Sequence, residues 1–117
     1  MKITMTLFLD IDGCILKHQD GLTNILRNQP EVLPGVYKKF HEWSSGGHMI
    51  ILVTGRPESM RKFTEDQLLN LGLFYDQLIM GLTNGYRILI NDKKPNMDIT
   101  AKAYNLERNK GLGDIEE

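Results

Sequence analysis

A chain of 117 residues, 41% hydrophobic and 25% charged, can bury one core and is too short for two. A net charge of −1 and a pI near 6.3 exclude a broad basic face for nucleic acid, leaving room only for a local patch. Cys14 is the single cysteine, which excludes an intrachain disulfide and fits a reducing compartment. No stretch reaches the roughly 18–20 apolar residues of a membrane span, and residues 1–5 lack the long apolar segment of a signal peptide. One cytoplasmic domain over residues 1–117 is the expectation.

Residues 3–11 read as a first strand, apolar on both faces at Leu7-Phe8-Leu9 as a central parallel strand is. Gly21, Pro30 and Pro34 punctuate the stretch after it, with room for a short helical turn over 22–28. Pro34 is placed to open a helix. In it Val36, Phe40 and Trp43 recur at helical spacing until Gly46-Gly47 stops it. Residues 49–53 form a second buried strand. Pro57 opens a second helix that ends at Gly72, with Met60, Phe63, Leu68 and Leu71 toward the core. Residues 77–80 and 87–90 read as short strands, 101–106 as a candidate last one, and 108–117 as a frayed polar tail.

Strands alternating with helices predict an α/β domain, Rossmann-like and three-layered, with a mostly parallel sheet. Only residues 81–86 separate the third and fourth strands, whereas a parallel crossover needs a dozen residues or more. That pair is either a hairpin or a short edge piece beside an unusual connection.

The first strand ends Asp10-Ile11-Asp12-Gly13. Aspartate is depleted in strands, and side chains two residues apart share one side. The two carboxylates therefore lie about 6–7 Å apart along the chain and repel unless a cation or a proton stands between them. Two more apolar runs end in Thr54-Gly55-Arg56 and Asn91-Asp92-Lys93-Lys94. Ligands of open α/β sheets bind beyond the carboxyl ends of the strands, where the helix opened by Pro57 would also aim its N-terminal amides. Carboxylates suit Mg2+; hydroxyl and cationic donors suit phosphoryl oxygens.

This pattern resembles the haloacid dehalogenase (HAD) superfamily of phosphohydrolases. Its first motif, an apolar strand ending DxDG, matches residues 7–13; its second matches 50–54 and its fourth 88–92. The spacing leaves no room for a cap domain, so the resemblance is to capless, minimal members, and among them to small capsule and surface-polysaccharide proteins. It implies a phosphatase that uses Mg2+ and an aspartyl-phosphate to hydrolyse a small phosphorylated metabolite, preferably a sugar phosphate. By that resemblance Asp10 is the nucleophile, Asp12 the general acid and base, Thr54 a donor to phosphate, and Lys94 the neutralising lysine. Gly13, Gly55, Arg56 and Lys93 would surround the phosphate, and Asp10, the backbone carbonyl of Asp12 and Asp92 would hold the metal.

The sequence departs from the family in three places. Cys14 stands where Thr is common. No lysine lies near Gly81-Leu82-Thr83, so Lys93 or Lys94 must serve instead. Asn91-Asp92 replaces a pair of acids, with Asp98 nearby. His18, His41 and His48 lack metal-ligand spacing, and Cys14 reads as a packed thiol. Competing readings are a catalytically idle phosphate- or partner-binding domain and a receiver-like phosphoacceptor domain. The latter would need its acceptor on the third strand, whereas Asp10 ends the first. A polynucleotide end-phosphatase is conceivable at an open site and disfavoured by the neutral composition. The expected partners are a small phosphorylated substrate and further copies in a homo-oligomer covering the crevice, with no nucleic acid and no membrane.

Overall fold

The computed structural model describes residues 3–117. In chain order it contains β1 (Thr6–Asp10), α1 (Leu22–Arg27), α2 (Val36–Ser45), β2 (Met49–Val53), a 3-10 turn (Glu58–Met60), α3 (Arg61–Asn70) and β3 (Gln77–Ile79). The strands form one parallel sheet of order β1-β2-β3, so the α/β class and parallel sheet read from the alternation are both present. The register pairs Asp10 with Val53 and Val53 with Ile79. All three strands thus end level, and the loops that leave them meet at one rim.

β2 lies in the centre and buries Ile50, Ile51 and Leu52, which is why its run is apolar without alternation. α2 packs Val36, Phe40 and Trp43 inward, and Trp43 is almost wholly enclosed. Its last carbonyls are satisfied by His48 N–H on Trp43 O at 3.0 Å and Gly47 N–H on Ser44 O at 3.1 Å. Leu73 and Gly72 close α3 in the same way on Leu68 and Leu69. Pro57 leads into the 3-10 turn before α3 begins at Arg61. The buried face of α3 holds Thr64, Gln67 and Leu68.

The expected fourth and last strands are corrected. Residues 87–90 and 101–106 form no ladder, and Ile88 and Ile90 are 80% and 92% exposed. A β-branched run supplies a preference and no partner. A parallel neighbour would also require the chain to return the length of the sheet, for which residues 81–86 are too few. Residues 83–105 instead make an exposed arm. It leaves the body at Leu82, whose N–H donates to Thr54 O at 3.1 Å, and has returned by Asn109, whose N–H donates to Gly13 O at 2.9 Å.

Residues 108–117 do not fray; they dock. Leu112 is buried in the main core, and its N–H donates to Pro34 O at 2.9 Å. A Cβ on Gly111, where φ is +89°, would lie 2.2 Å from that same Pro34 oxygen, so only glycine fits this approach. At the far end Trp43 Nε1 donates to Glu117 Oε1 at 2.7 Å and Lys39 Nζ to Oε2 at 3.0 Å. Among the described residues no helix is long and apolar enough to cross a membrane.

Burial by itself would raise the Glu117 carboxyl, but the Trp43 and Lys39 donors prevail and hold it below the ordinary carboxylate range. A depressed folded-state pKa contributes stability that is present above the unfolded value, ~4.3 for Glu. That contribution is lost as pH falls through the folded value. Acidification from about pH 6 to about pH 3 is therefore expected to release the tail and shift Trp43 fluorescence before the backbone unfolds. Glu117→Gln should lack that early step; an identical titration in both proteins would refute the assignment.

Candidate functional site

Asp10 is the last residue of β1, and the next side chain, Ile11, is fully buried. The Ile11 carbonyl accepts from Cys14 N at 3.2 Å, Ile15 N at 2.9 Å and Leu16 N at 3.0 Å, while Gly13 N–H donates to Leu16 O at 2.7 Å. This tight loop requires the positive φ of Gly13. It leaves Asp10 and Asp12 on either side of a buried anchor, both lining one open crevice of about 330 Å³. Gly13, Cys14, Leu106 and Arg108 complete its wall.

Thr54 follows β2 and is buried; its N–H donates to Ile79 O at 2.9 Å. Its Oγ1 accepts from Arg56 N–H at 3.1 Å. Arg56 then turns inward and is only 4% exposed. Its Nε and Nη2 donate to the two oxygens of Asp12 at 2.9 and 2.8 Å, and Nη1 donates to Thr64 Oγ1 at 3.2 Å and Gln67 Oε1 at 2.8 Å. A guanidinium can be buried when a planar carboxylate meets it at two points and its remaining donors are used. Arg56 is thus committed to Asp12, Thr64 and Gln67, which favours a structural place for it over one against the phosphate. Sequence reading missed Thr64 and Gln67. Their signal was present: two polar residues four and seven positions after Met60, on the face that should be apolar.

Asp10 is held differently. Arg87 Nη1, from the arm, lies 3.3 Å from its Oδ1, and the two side chains are 43% and 35% exposed. Arg108 reaches the crevice from the returning segment, its Cγ 3.5 Å from where a Cβ on Gly13 would stand. Burial pushes the Cys14 thiol up, the Asp10 charge adds to this, and Arg87 opposes it. Cys14 therefore stays protonated and packed. Neither Arg87 nor Arg108 was singled out in the sequence, because nothing local marks a cation that a distant segment carries to the site.

The remaining expected residues lie elsewhere. Lys93 lines a separate shallow hollow with Asn91 and Asp98. Lys94 and Asp92 are exposed on the arm, where the Asp92 carbonyl accepts from the Thr100 hydroxyl. Gly55 backs onto the start of the arm, 3.4 Å separating its would-be Cβ from Leu82 O. The set Asp10, Asp12 and Asp92 is not assembled, and among the described residues no three His, Cys, Asp or Glu side chains gather as a metal site. Asp12 is taken by Arg56 and Asp10 faces Arg87. Of the expected metal ligands, Asp10 and Asp12 share the crevice and Asp92 lies on the arm.

No family model and no curated protein matches the chain. Two solved structures resemble it. A chain of a Pnkp1/Rnl/Hen1 complex superposes with a TM-score of 0.59 at 26% identity, over 74% of this chain and 31% of that one. A chain of the Pnkp1/Rnl/Hen1 RNA repair complex superposes with a TM-score of 0.59 at 27% identity, over 72% of this chain and 28% of that one. The protein spans less than a third of the length of either. These likenesses correct the expected kinship with haloacid dehalogenase phosphatases of polysaccharide clusters, and with it the sugar-phosphate substrate and the exclusion of nucleic acid. The structural reason agrees with them: the fourth motif of that family needs a strand over 88–92 that delivers an acid, and here those residues lie on the exposed arm. The solved chains that share this fold come from Pnkp1/Rnl/Hen1 assemblies, one of them described as an RNA repair complex.

Proposed function

We propose that the crevice receives a phosphate-bearing RNA end and that the domain removes the phosphate by hydrolysis. The observation that supports this most is the division of labour between two carboxylates at the strand ends. Asp12 is fixed at two points by a buried arginine, whereas Asp10 opens on the crevice beside a partly exposed cation. A carboxylate held in one plane can orient a water without reorganising, and positioning of this kind accounts for much of catalysis. Asp10 supplies the carboxylate that attacks phosphorus; the P–O bond to the RNA end breaks, and water protonates the departing oxygen. The water that Asp12 orients then hydrolyses the aspartyl phosphate to free phosphate. Thr54 is buried and lies outside the crevice lining, where its oxygen accepts from Arg56 N–H and so holds the turn that aims Arg56 at Asp12. The RNA end is inferred from the likeness to chains of the RNA repair complex.

The test is release of inorganic phosphate from short RNAs carrying a 5′- or a 3′-terminal phosphate, with and without added Mg2+. Wild-type protein is expected to release phosphate from one of the two ends. Asp10→Asn should lower the rate by about 10³-fold or more, as loss of a reacting group does. Equal rates in the two proteins, or no release from either end, would reject the proposal.

A further inference from the structure

The charges around the crevice do not balance, and the imbalance has a direction. Asp10 and Asp12 face three guanidinium groups, those of Arg56, Arg87 and Arg108. Arg56 is buried and consumed by Asp12. Arg87 is opposite Asp10 at 3.3 Å, a loose contact between partly exposed groups on a body and an arm. Contacts of that kind are weak in water. Arg108 pairs with neither carboxylate among the described ion pairs and lines the crevice directly. The net local charge is positive in a place that already holds two acids.

We propose that Arg87 and Arg108 form a two-arginine clamp for a terminal phosphomonoester, and that Arg87 passes from Asp10 to the phosphate as the end enters. This rests on the RNA-end reading of the crevice. A terminal phosphate carries nearly two negative charges, whereas an internal diester carries one, so it competes better for a guanidinium held by a single carboxylate. The exchange uncovers Asp10 at the moment the phosphate arrives. It also makes the free protein's Asp10 a placeholder for the ligand: an anion keeps the arm's arginine in position until another anion takes it. Arg87 is carried on the arm against Asp10, and Arg108 lines the crevice from the segment where the arm returns, so a phosphate held beside Asp10 would meet both.

The clamp is tested by equilibrium binding of a fluorescent single-stranded RNA to the full chain in EDTA, with and without a terminal phosphate on the unlabelled end. Wild type should prefer the phosphorylated end by about tenfold or more, the worth of a charge-assisted hydrogen bond. Arg87→Ala and Arg108→Ala should each abolish most of that preference. Each should also flatten the salt dependence of log Kd by about 0.7, the slope of one single-strand phosphate contact. In turnover, both variants should raise KM more than they lower kcat. Arg87→Lys should recover part of the affinity by restoring charge without the fork. Lys62→Ala, at an exposed helix pair that does not line the crevice, should change nothing.

The opposite result for Arg87 is equally specific. If Arg87 only covered Asp10, Arg87→Ala would bind the phosphorylated end as tightly as wild type or more tightly. That outcome, or wild-type binding indifferent to the terminal phosphate, overturns the clamp. The two proposals fail separately. End-selective binding that needs both arginines, without phosphate release, would leave the clamp standing and remove the hydrolase. Release that persists unchanged in Arg87→Ala would do the reverse.

Discussion

Arg56→Met is expected to cost about 3 kcal/mol of folding stability, close to the lower end for breaking a buried ion pair. The guanidinium is enclosed, and its loss strands every acceptor it serves: both oxygens of Asp12, Thr64 Oγ1 and Gln67 Oε1. Asp12 keeps some contact with solvent, its side chain being 20% exposed, which holds the cost below the maximum. For a chain of this length such a loss lowers Tm by about 10 °C. Arg56→Lys should recover little, because one ammonium cannot address a carboxylate at two points and also reach α3. Combining Arg56→Met with Asp12→Asn should be less damaging than the sum of the single changes, since the uncompensated charge is then gone. Urea unfolding of wild type and these variants decides the matter. A loss below about 1 kcal/mol in Arg56→Met would mean that water replaces the arginine and that the pair does not hold the site.

The second large effect belongs to Trp43. Replacing it by alanine is expected to cost about 3–5 kcal/mol, the usual range for an enclosed large aromatic. The indole ring is almost fully buried, stands 6.0 Å from the Phe40 ring at a tilt of 47°, and donates to Glu117. Trp43→Ala therefore opens a cavity in α2's packing and removes the anchor of the docked tail at the same time. Trp43→Phe retains most of the volume and loses the donor, so it should cost about 1–2 kcal/mol. Thermal melts measure the first effect. Limited proteolysis measures the second, with cleavage of the tail expected in both variants and faster in Trp43→Ala.

Several parts of the molecule were legible because one physical signal sufficed for each. The apolar runs at 7–9 and 50–53, the spacing of Val36, Phe40 and Trp43, and the glycine stops after both long helices were local facts. Asp10 and Asp12 were conspicuous because acids are costly in a strand, and the structure does place both at one crevice. What escaped was relational. The run Arg87-Ile88-Leu89-Ile90 has strand chemistry but meets no strand, and composition cannot say whether a partner is within reach. Leu112 is a lone apolar residue among glycines and charges, yet it fills the core because Gly111 lets the backbone approach Pro34. Arg56, after a strand, read as either structural or substrate-facing, and only the two polar residues on the inner face of α3 betray that it points inward. The cations beside the crevice arrive from residues 108, in its wall, and 87, against Asp10 from the arm that misled the strand assignment.

The arm also separates two properties that usually coincide, the continuity of the chain and the integrity of the body. The sheet and the helices precede residue 83, and the segment after residue 105 is held by Leu112, by Asn109 on Gly13, and by Trp43 and Lys39 on Glu117. A cut anywhere in the exposed stretch between them would sever the polypeptide and leave every one of those contacts in place. Residues 106–117 are in that sense a peptide ligand tethered to its own receptor. Pro34 holds them by close backbone approach and Lys39 and Trp43 by two donors, and the covalent link keeps their local concentration high.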